Sequence, residues 1–194
     1  MNKENKEGEE GKRCKEGKAV KKVKMTKKCK KGRGYYLIIR GPLGIGKTTI
    51  SEKLAEQLNG EYISIDRILN DNKIKEWEKG YISEASFLKA NDMAVLKAKP
   101  ALCNGKPVIF DGNFYHKSQI GDLIKKLDLK YFIFTLKAPL AICIERDSKR
   151  EKHLGAKAAE EVHRKTSEFD EGIVLDTENK TENQVIKEIL RRLK

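Results

Sequence analysis

Gly41-Pro42-Leu43-Gly44-Ile45-Gly46-Lys47-Thr48 is the stretch on which the reading of this chain turns. It fits G-x-x-x-x-G-K-[ST], the pattern of a phosphate-binding loop. The apolar run Tyr35-Tyr36-Leu37-Ile38-Ile39 precedes it, and Ile50, Leu54 and Leu58 follow at a spacing of four. Strand, glycine loop and helix in that order give the pattern its physical sense. Glycines let backbone N–H groups converge on phosphate oxygens, and the start of the helix adds partial positive charge. Gly41, Pro42, Leu43, Gly44, Ile45, Gly46, Lys47, Thr48 and Thr49 are therefore the expected nucleotide-binding segment. Within it, Lys47 reaches the β- and γ-phosphates, and Thr48 offers its hydroxyl to Mg²⁺.

Outward from this loop, strand-like and helix-like segments alternate, the signature of an α/β fold with a parallel sheet. Strands are expected at 35–40, 61–65, 107–110, 131–136 and 172–175. Gly60 ends the first helix. Helical pieces follow Asp66, and Trp77 is read as a packing residue on one of them. A longer helix covers about 84–103, and others lie around Ile120, Leu123, Ile124 and Leu127, after Pro139, over about 156–169 and at the C-terminus. The last presents Val185, Ile186, Ile189, Leu190 and Leu193 on one face.

Three chemistry-bearing positions fall at the carboxyl ends of strands one, two and three, the edge along which open α/β sheets bind ligands. The first is the loop itself. The second is Asp66-Arg67. A carboxylate at Asp66 can accept or orient the proton of an acceptor hydroxyl, and Arg67 can bind an anionic group of the substrate. Its plain alternative is the N-cap of the next helix. The third is Asp111-Gly112-Asn113, where an acid after the apolar strand Val108-Ile109-Phe110 holds Mg²⁺, and Asn113 touches substrate. Beyond strand four lies the basic cluster Arg146, Lys149, Arg150 and Lys152. Arg146 and Arg150 share a helix face by their spacing and can close over a transferring phosphoryl group. His116, His153 and His163 show no metal-ligand spacing and read as surface polar residues.

The charge is lopsided. Residues 1–34 hold twelve Lys and two Arg against five Glu, out of a net charge of +13 for all 194 residues. With few apolar residues this arm is expected to be disordered, either a nucleic-acid grip or a solubilising tail. Met25 is a candidate alternative start. The remainder, 35–194, is long enough for one domain with its own core. No run of about 18 apolar residues occurs, so no membrane partner is expected. Cys14, Cys29, Cys103 and Cys143 form no C-x-x-C pair, which fits a reduced, cytoplasmic setting, with Cys103 and Cys143 as core thiols.

On the loop, Asp66-Arg67, Asp111-Gly112-Asn113 and Ala138-Pro139 running to Arg146 and Arg150, residues 35–194 resemble P-loop kinases of the adenylate-kinase-like superfamily. Within it, the chain is similar to the branch of polynucleotide kinases, zeta-toxin kinases, chloramphenicol phosphotransferase and gluconate kinase. The resemblance implies a three-layer P-loop NTPase fold, with a five-stranded parallel sheet in the order 2-3-1-4-5 and a helical lid around 146–155. It implies ATP and Mg²⁺ as cofactors, and an adenine-side contact near Asp176 and Thr177.

Departures narrow the acceptor. Nucleoside monophosphate kinases carry Asp-Gly-aromatic-Pro-Arg after strand three, whereas this chain has Asp111-Gly112-Asn113-Phe114-Tyr115-His116. Shikimate kinases carry Asp-x-Asp where this chain has Ser64-Ile65-Asp66. Polynucleotide kinases place an arginine where Leu69 stands. The expected activity is transfer of the γ-phosphoryl group of ATP to an acceptor hydroxyl or phosphate of a small molecule, nucleoside or nucleotide. A polynucleotide 5′-hydroxyl kinase that uses the basic arm is the first alternative. A P-loop ATPase or nucleotide-gated nucleic-acid-binding module is the second. Gly112 stands where hydrolytic AAA-type ATPases carry Glu, and no GTPase base-recognition motif occurs.

Overall fold

A computed structural model describes residues 34–78, 80–151 and 153–193. Apart from Gly34, the basic arm lies outside the described residues, as do Cys14, Cys29 and Lys152. Five strands build the main sheet: β1 (Tyr36–Arg40), β2 (Glu61–Ser64), β5 (Val108–Asp111), β6 (Tyr131–Lys137) and β7 (Ile173–Asp176). A separate hairpin, β3 (Trp77–Glu78) and β4 (Tyr81–Ile82), is antiparallel. The main sheet runs β2-β5-β1-β6-β7 and every pairing in it is parallel. Counted without the hairpin, this is the expected order 2-3-1-4-5.

The helices are α1 (Lys47–Gln57), α2 (Ile65–Asp71), α3 (Glu84–Cys103), α4 (Lys117–Leu127), α5 (Leu140–Ser148), α6 (Ala156–Thr166) and α7 (Glu182–Arg192). β1 is buried on both faces, which explains its unbroken apolar run. Tyr36 and Ile38 join the core formed with α2, α3 and α4. Leu37 and Ile39 point the other way, to Ile50 and Leu54 of α1, Cys143 of α5 and Val185, Ile186 and Ile189 of α7. Three layers result, and each fully buried Ile or Leu contributes about 1.5–3 kcal/mol.

Two local expectations change. Strand two ends at Ser64, one residue earlier than its apolar pattern suggested, because the Ser64 side chain caps α2 by accepting from Arg67 N at 3.2 Å. The N-cap is thus Ser64, not Asp66, and the Asp66 carboxylate is released from capping. Cys103 is exposed at the end of α3 and is not a core residue, whereas Cys143 is buried.

At the carboxyl end of β1 the chain buries a guanidinium. Arg40 is fully buried beneath the sheet edge. It donates to Phe114 O (3.3 Å), Thr135 Oγ1 (3.1 Å), Phe169 O (2.9 Å) and Thr166 O (3.0 Å), and stacks 4.2 Å over the Phe169 ring. Burial pushes it down to about 10, against the pull of Asp170 and Glu171, so it stays charged at neutral pH. Thr166 and Phe169 lie at and just beyond the C-terminus of α6, where helix carbonyls favour a cation. Replacing Arg40 with Met keeps an apolar stem but strands several buried acceptors, each worth about 1–3 kcal/mol when unmet. Arg40→Met is expected to lower unfolding free energy by about 3 kcal/mol or more in urea titration. A loss under about 1 kcal/mol would contradict this reading.

Candidate active site

The loop between β1 and α1 is shaped by glycine. Gly44 has φ +72°, and a Cβ there would lie 2.1 Å from Cys143 O of α5. The loop is therefore pressed against α5, and no other residue fits this position. Its members divide by direction. Leu43, Gly44, Gly46, Lys47, Thr48 and Thr49 line a cavity of about 790 Å³. Ile45 is buried in the core, while Gly41 and Pro42 line a small hollow on the other side of the loop. Helix α1 starts at Lys47 with no acidic residue in its first turn, so the N–H groups there stay open to an anion.

Lys47 is buried and its Nζ donates to Pro42 O at 2.7 Å. Burial pushes its ammonium down, while Asp111 and Asp66 pull it back up and Arg150 opposes them. Thr48 Oγ1 donates to Asp111 Oδ2 at 2.9 Å, joining the loop to the end of β5. Asp111 is 3% exposed, and its Oδ1 has no hydrogen-bond partner among the described residues. An orphaned carboxylate oxygen and a threonine hydroxyl are fitting oxygen donors for a Mg²⁺ that also draws on phosphate oxygens, while the Lys47 ammonium serves the phosphates alone. Sequence reasoning missed Tyr62 of β2, whose hydroxyl donates to the same Asp111 Oδ2 at 2.9 Å. The β2–β5 register, Ser64 opposite Asp111, was the available signal, but it requires the strand order.

Asp66 sits in the first turn of α2 and lines the same cavity. Burial holds its carboxyl above the ordinary carboxylate range; Lys47 and then Lys75 oppose this, and Asp111 adds to it. Asn113 also lines the cavity; it is 7% exposed, and its Oδ1 is unpartnered among the described residues. Arg67 does not line the cavity: it is exposed, with its guanidinium 6.0 Å from the Tyr62 ring.

The two arginines part company. α5 ends at Ser148, so Arg150 lies beyond it, 3.7 Å from Asp147 and half exposed to the cavity. Arg146 also lines the cavity but is tethered, donating to Thr177 Oγ1 (3.2 Å), Thr177 O (3.0 Å) and Glu178 O (3.3 Å). Thr177 is itself buried, its N–H and hydroxyl both donating to Lys137 O, and Asp176 Oδ1 accepts from Glu178 N. Neither Asp176 nor Thr177 lines the cavity. From the turn after β7, contact with the cavity passes through Arg146.

A family model described as an AAA domain matches residues 37–170, from β1 past α6. The chain belongs to that family. Among solved structures, it is similar to a sugar kinase from Janibacter sp., with TM-score 0.68 and 21% identity over 82% of this chain and 94% of that one. A gluconokinase from Sinorhizobium meliloti gives 0.65 and 14%, over 84% and 94%. A tunicamycin resistance protein from Deinococcus radiodurans gives 0.60 and 19%, over 82% and 95%. At these identities the likeness is one of fold, and that fold is the P-loop kinase fold of the adenylate-kinase-like group. Among the described residues, no helix is long and apolar enough to cross a membrane.

The electrostatics of Asp66 carry a consequence for stability. A carboxyl held above its unfolded value favours folding below the ordinary carboxylate range, and that contribution is lost as pH rises through the folded value. Asp66→Asn is therefore expected to raise Tm at about pH 7, with the gain shrinking toward about pH 4. Calorimetry across that range checks it; a variant less stable than the parent at neutral pH would contradict the reading.

Proposed function

We propose that this protein is a kinase that moves the γ-phosphoryl group of ATP to a hydroxyl of a small molecule. The observation that carries this reading is that Lys47, Thr48, Asp66 and Asp111 line one cavity at the carboxyl edge of the sheet. Loop N–H groups and Lys47 bind the phosphates; Lys47 exchanges its bond to Pro42 O for phosphate oxygens. Thr48 and Asp111 would hold Mg²⁺, which supplies charge neutralisation on the phosphates when bound. Asp66 orients the acceptor hydroxyl and takes its proton as the new P–O bond forms and the bond to the β-phosphate oxygen breaks, releasing ADP. Burial holds its carboxyl above the ordinary carboxylate range, which makes the ionised form a stronger proton acceptor than an ordinary Asp. Arg150, half free on the cavity rim, stabilises charge on the phosphoryl oxygens, while Arg146 holds the turn after β7 and presents its face to the nucleotide.

The packing at Gly112 supports transfer over hydrolysis. A Cβ there would lie 3.1 Å from the Phe114 ring and 3.2 Å from Ile65 Cβ, so an acid to activate water would fit at that place only if these neighbours gave way by a few tenths of an ångström. The proposal also favours a small acceptor over a polynucleotide: on the acceptor side of the cavity the charged groups are Asp66, Lys75 and Glu161, which would not gather a polyanion.

The test is label transfer from [γ-³²P]ATP, with Mg²⁺, across small hydroxyl compounds, nucleosides and 5′-hydroxyl oligonucleotides. Lys47→Ala is expected to lose about 10²–10³ in kcat, and Asp66→Asn about 10²–10⁴. Free phosphate as the only labelled product would replace this reading with that of an ATPase. Full activity in Asp66→Asn would remove its role at the acceptor.

A further inference from the structure

The hairpin β3–β4 was not legible in the sequence, and it changes the place of the chain's single tryptophan. Trp77 is not a packing residue: it is 69% exposed. The large apolar side chains that are exposed among the described residues are Trp77, Leu96, Tyr131, Leu154 and Val174. Of these, Trp77 and Leu154 line the active-site cavity, and the others do not. They come from different walls, Trp77 from the hairpin and Leu154 from the segment between α5 and α6.

The hairpin is fixed at its base. Ser83 N donates to Glu76 O at 2.8 Å, and Glu76 N to Ser86 Oγ at 2.9 Å. Ile82 N donates to the Tyr115 hydroxyl at 3.1 Å, and Ile82 O lies 3.2 Å from His116 Nε2. Tyr115 in turn packs edge-on against Phe87 and Tyr81. The Trp77 indole is thus an apolar face held in water by an anchored support, and Asn113, whose buried Oδ1 has no partner among the described residues, lines the same cavity. An exposed indole has a large apolar area to gain by being covered, and its π-face takes either an aromatic ring or the C–H face of a sugar ring.

Building on the kinase reading, we infer that the acceptor is an uncharged, ring-bearing alcohol. Its ring stacks on Trp77, a second hydroxyl or an N–H donates to Asn113 Oδ1, and the hydroxyl to be phosphorylated faces Asp66. Leu154 covers the ring from the opposite wall. Trp77 is then a positioning residue for the acceptor, remote from the nucleotide.

Because the chain has one tryptophan, its fluorescence reports this contact directly. The full chain, with ADP and Mg²⁺, is titrated with adenosine, glucose and chloramphenicol as ring alcohols, and with sorbitol and a 5′-hydroxyl oligonucleotide as acyclic and polyanionic controls. One ring alcohol is expected to shift or quench the emission saturably, and the controls are expected to leave it unchanged. Label transfer identifies the acceptor independently. For that acceptor, Trp77→Ala is expected to raise KM by roughly tenfold or more, with kcat within about threefold and the KM for ATP unchanged. Trp77→Phe is expected to restore most of the loss. Transfer to an acyclic or polyanionic acceptor would overturn this inference and leave the kinase reading standing. Saturable binding of a ring alcohol with no transfer would overturn the kinase reading and keep only the ring contact at Trp77. A fluorescence titration flat for every ring alcohol, or an acceptor KM in Trp77→Ala within twofold of the parent, also overturns it.

Discussion

A guanidinium sealed beneath the edge of the sheet sets the geometry of everything above it. Arg40 is the last residue of β1, and Gly41 opens the phosphate loop. Its bonds tie that point to β6 through Thr135, to the end of α6 through Thr166 and Phe169, and to the turn after β5 through Phe114. Two walls of the cavity are thereby tied to the start of the phosphate loop through one buried charge. α6 contributes Ala158, Glu161 and Val162 to the far wall, and the turn after β5 contributes Asn113 and Tyr115. Phe114 holds φ +47°, a left-handed backbone that costs on the order of 1 kcal/mol for a bulky residue. The bond from Arg40 to its carbonyl, and the ring's packing over Gly112, offset that cost. Asn113, which lines the cavity, immediately precedes this turn residue.

The second organising contact is Asp111 with Thr48. It joins the strand that ends in an acid to the helix that begins in a lysine, and Tyr62 steadies the same oxygen from β2. Two strands and a helix thus meet at one carboxylate. The parallel register makes this possible: Ile39 and Ser64 flank Asp111 on neighbouring strands, so all three chain reversals occur at the same height. A ligand site at this edge follows from the sheet itself, and the residues placed there give it phosphate and proton chemistry.

What the sequence disclosed is what has a period or a fixed pattern. Tyr36 to Ile39 read as a two-sided buried strand because parallel sheets leave no polar face. Asp66 and Asp111 were found because acids that end apolar runs are conspicuous. The hairpin was invisible because two strands of two residues have no periodicity; only Gly80, with φ +83°, marks its turn. Arg40 looked like the polar end of a strand, since nothing local says that four acceptors far along the chain converge on it. The divergence of Arg146 and Arg150 has a similar cause. Spacing placed both on one face, but α5 stops at Ser148, and Arg146 is claimed by Thr177, thirty-one residues onward.

The central claim is that donor and acceptor meet in this single cavity between Lys47 and Asp66. It is tested most directly by a crystal structure of the full chain with ADP, Mg²⁺ and aluminium fluoride, a mimic of the phosphoryl group in flight. The account expects the fluoride within hydrogen-bond distance of Lys47 Nζ, the metal at Thr48 and Asp111, and Asp66 facing the open apical position of the fluoride. Nucleotide bound elsewhere, or Asp66 turned away from the fluoride, would contradict it.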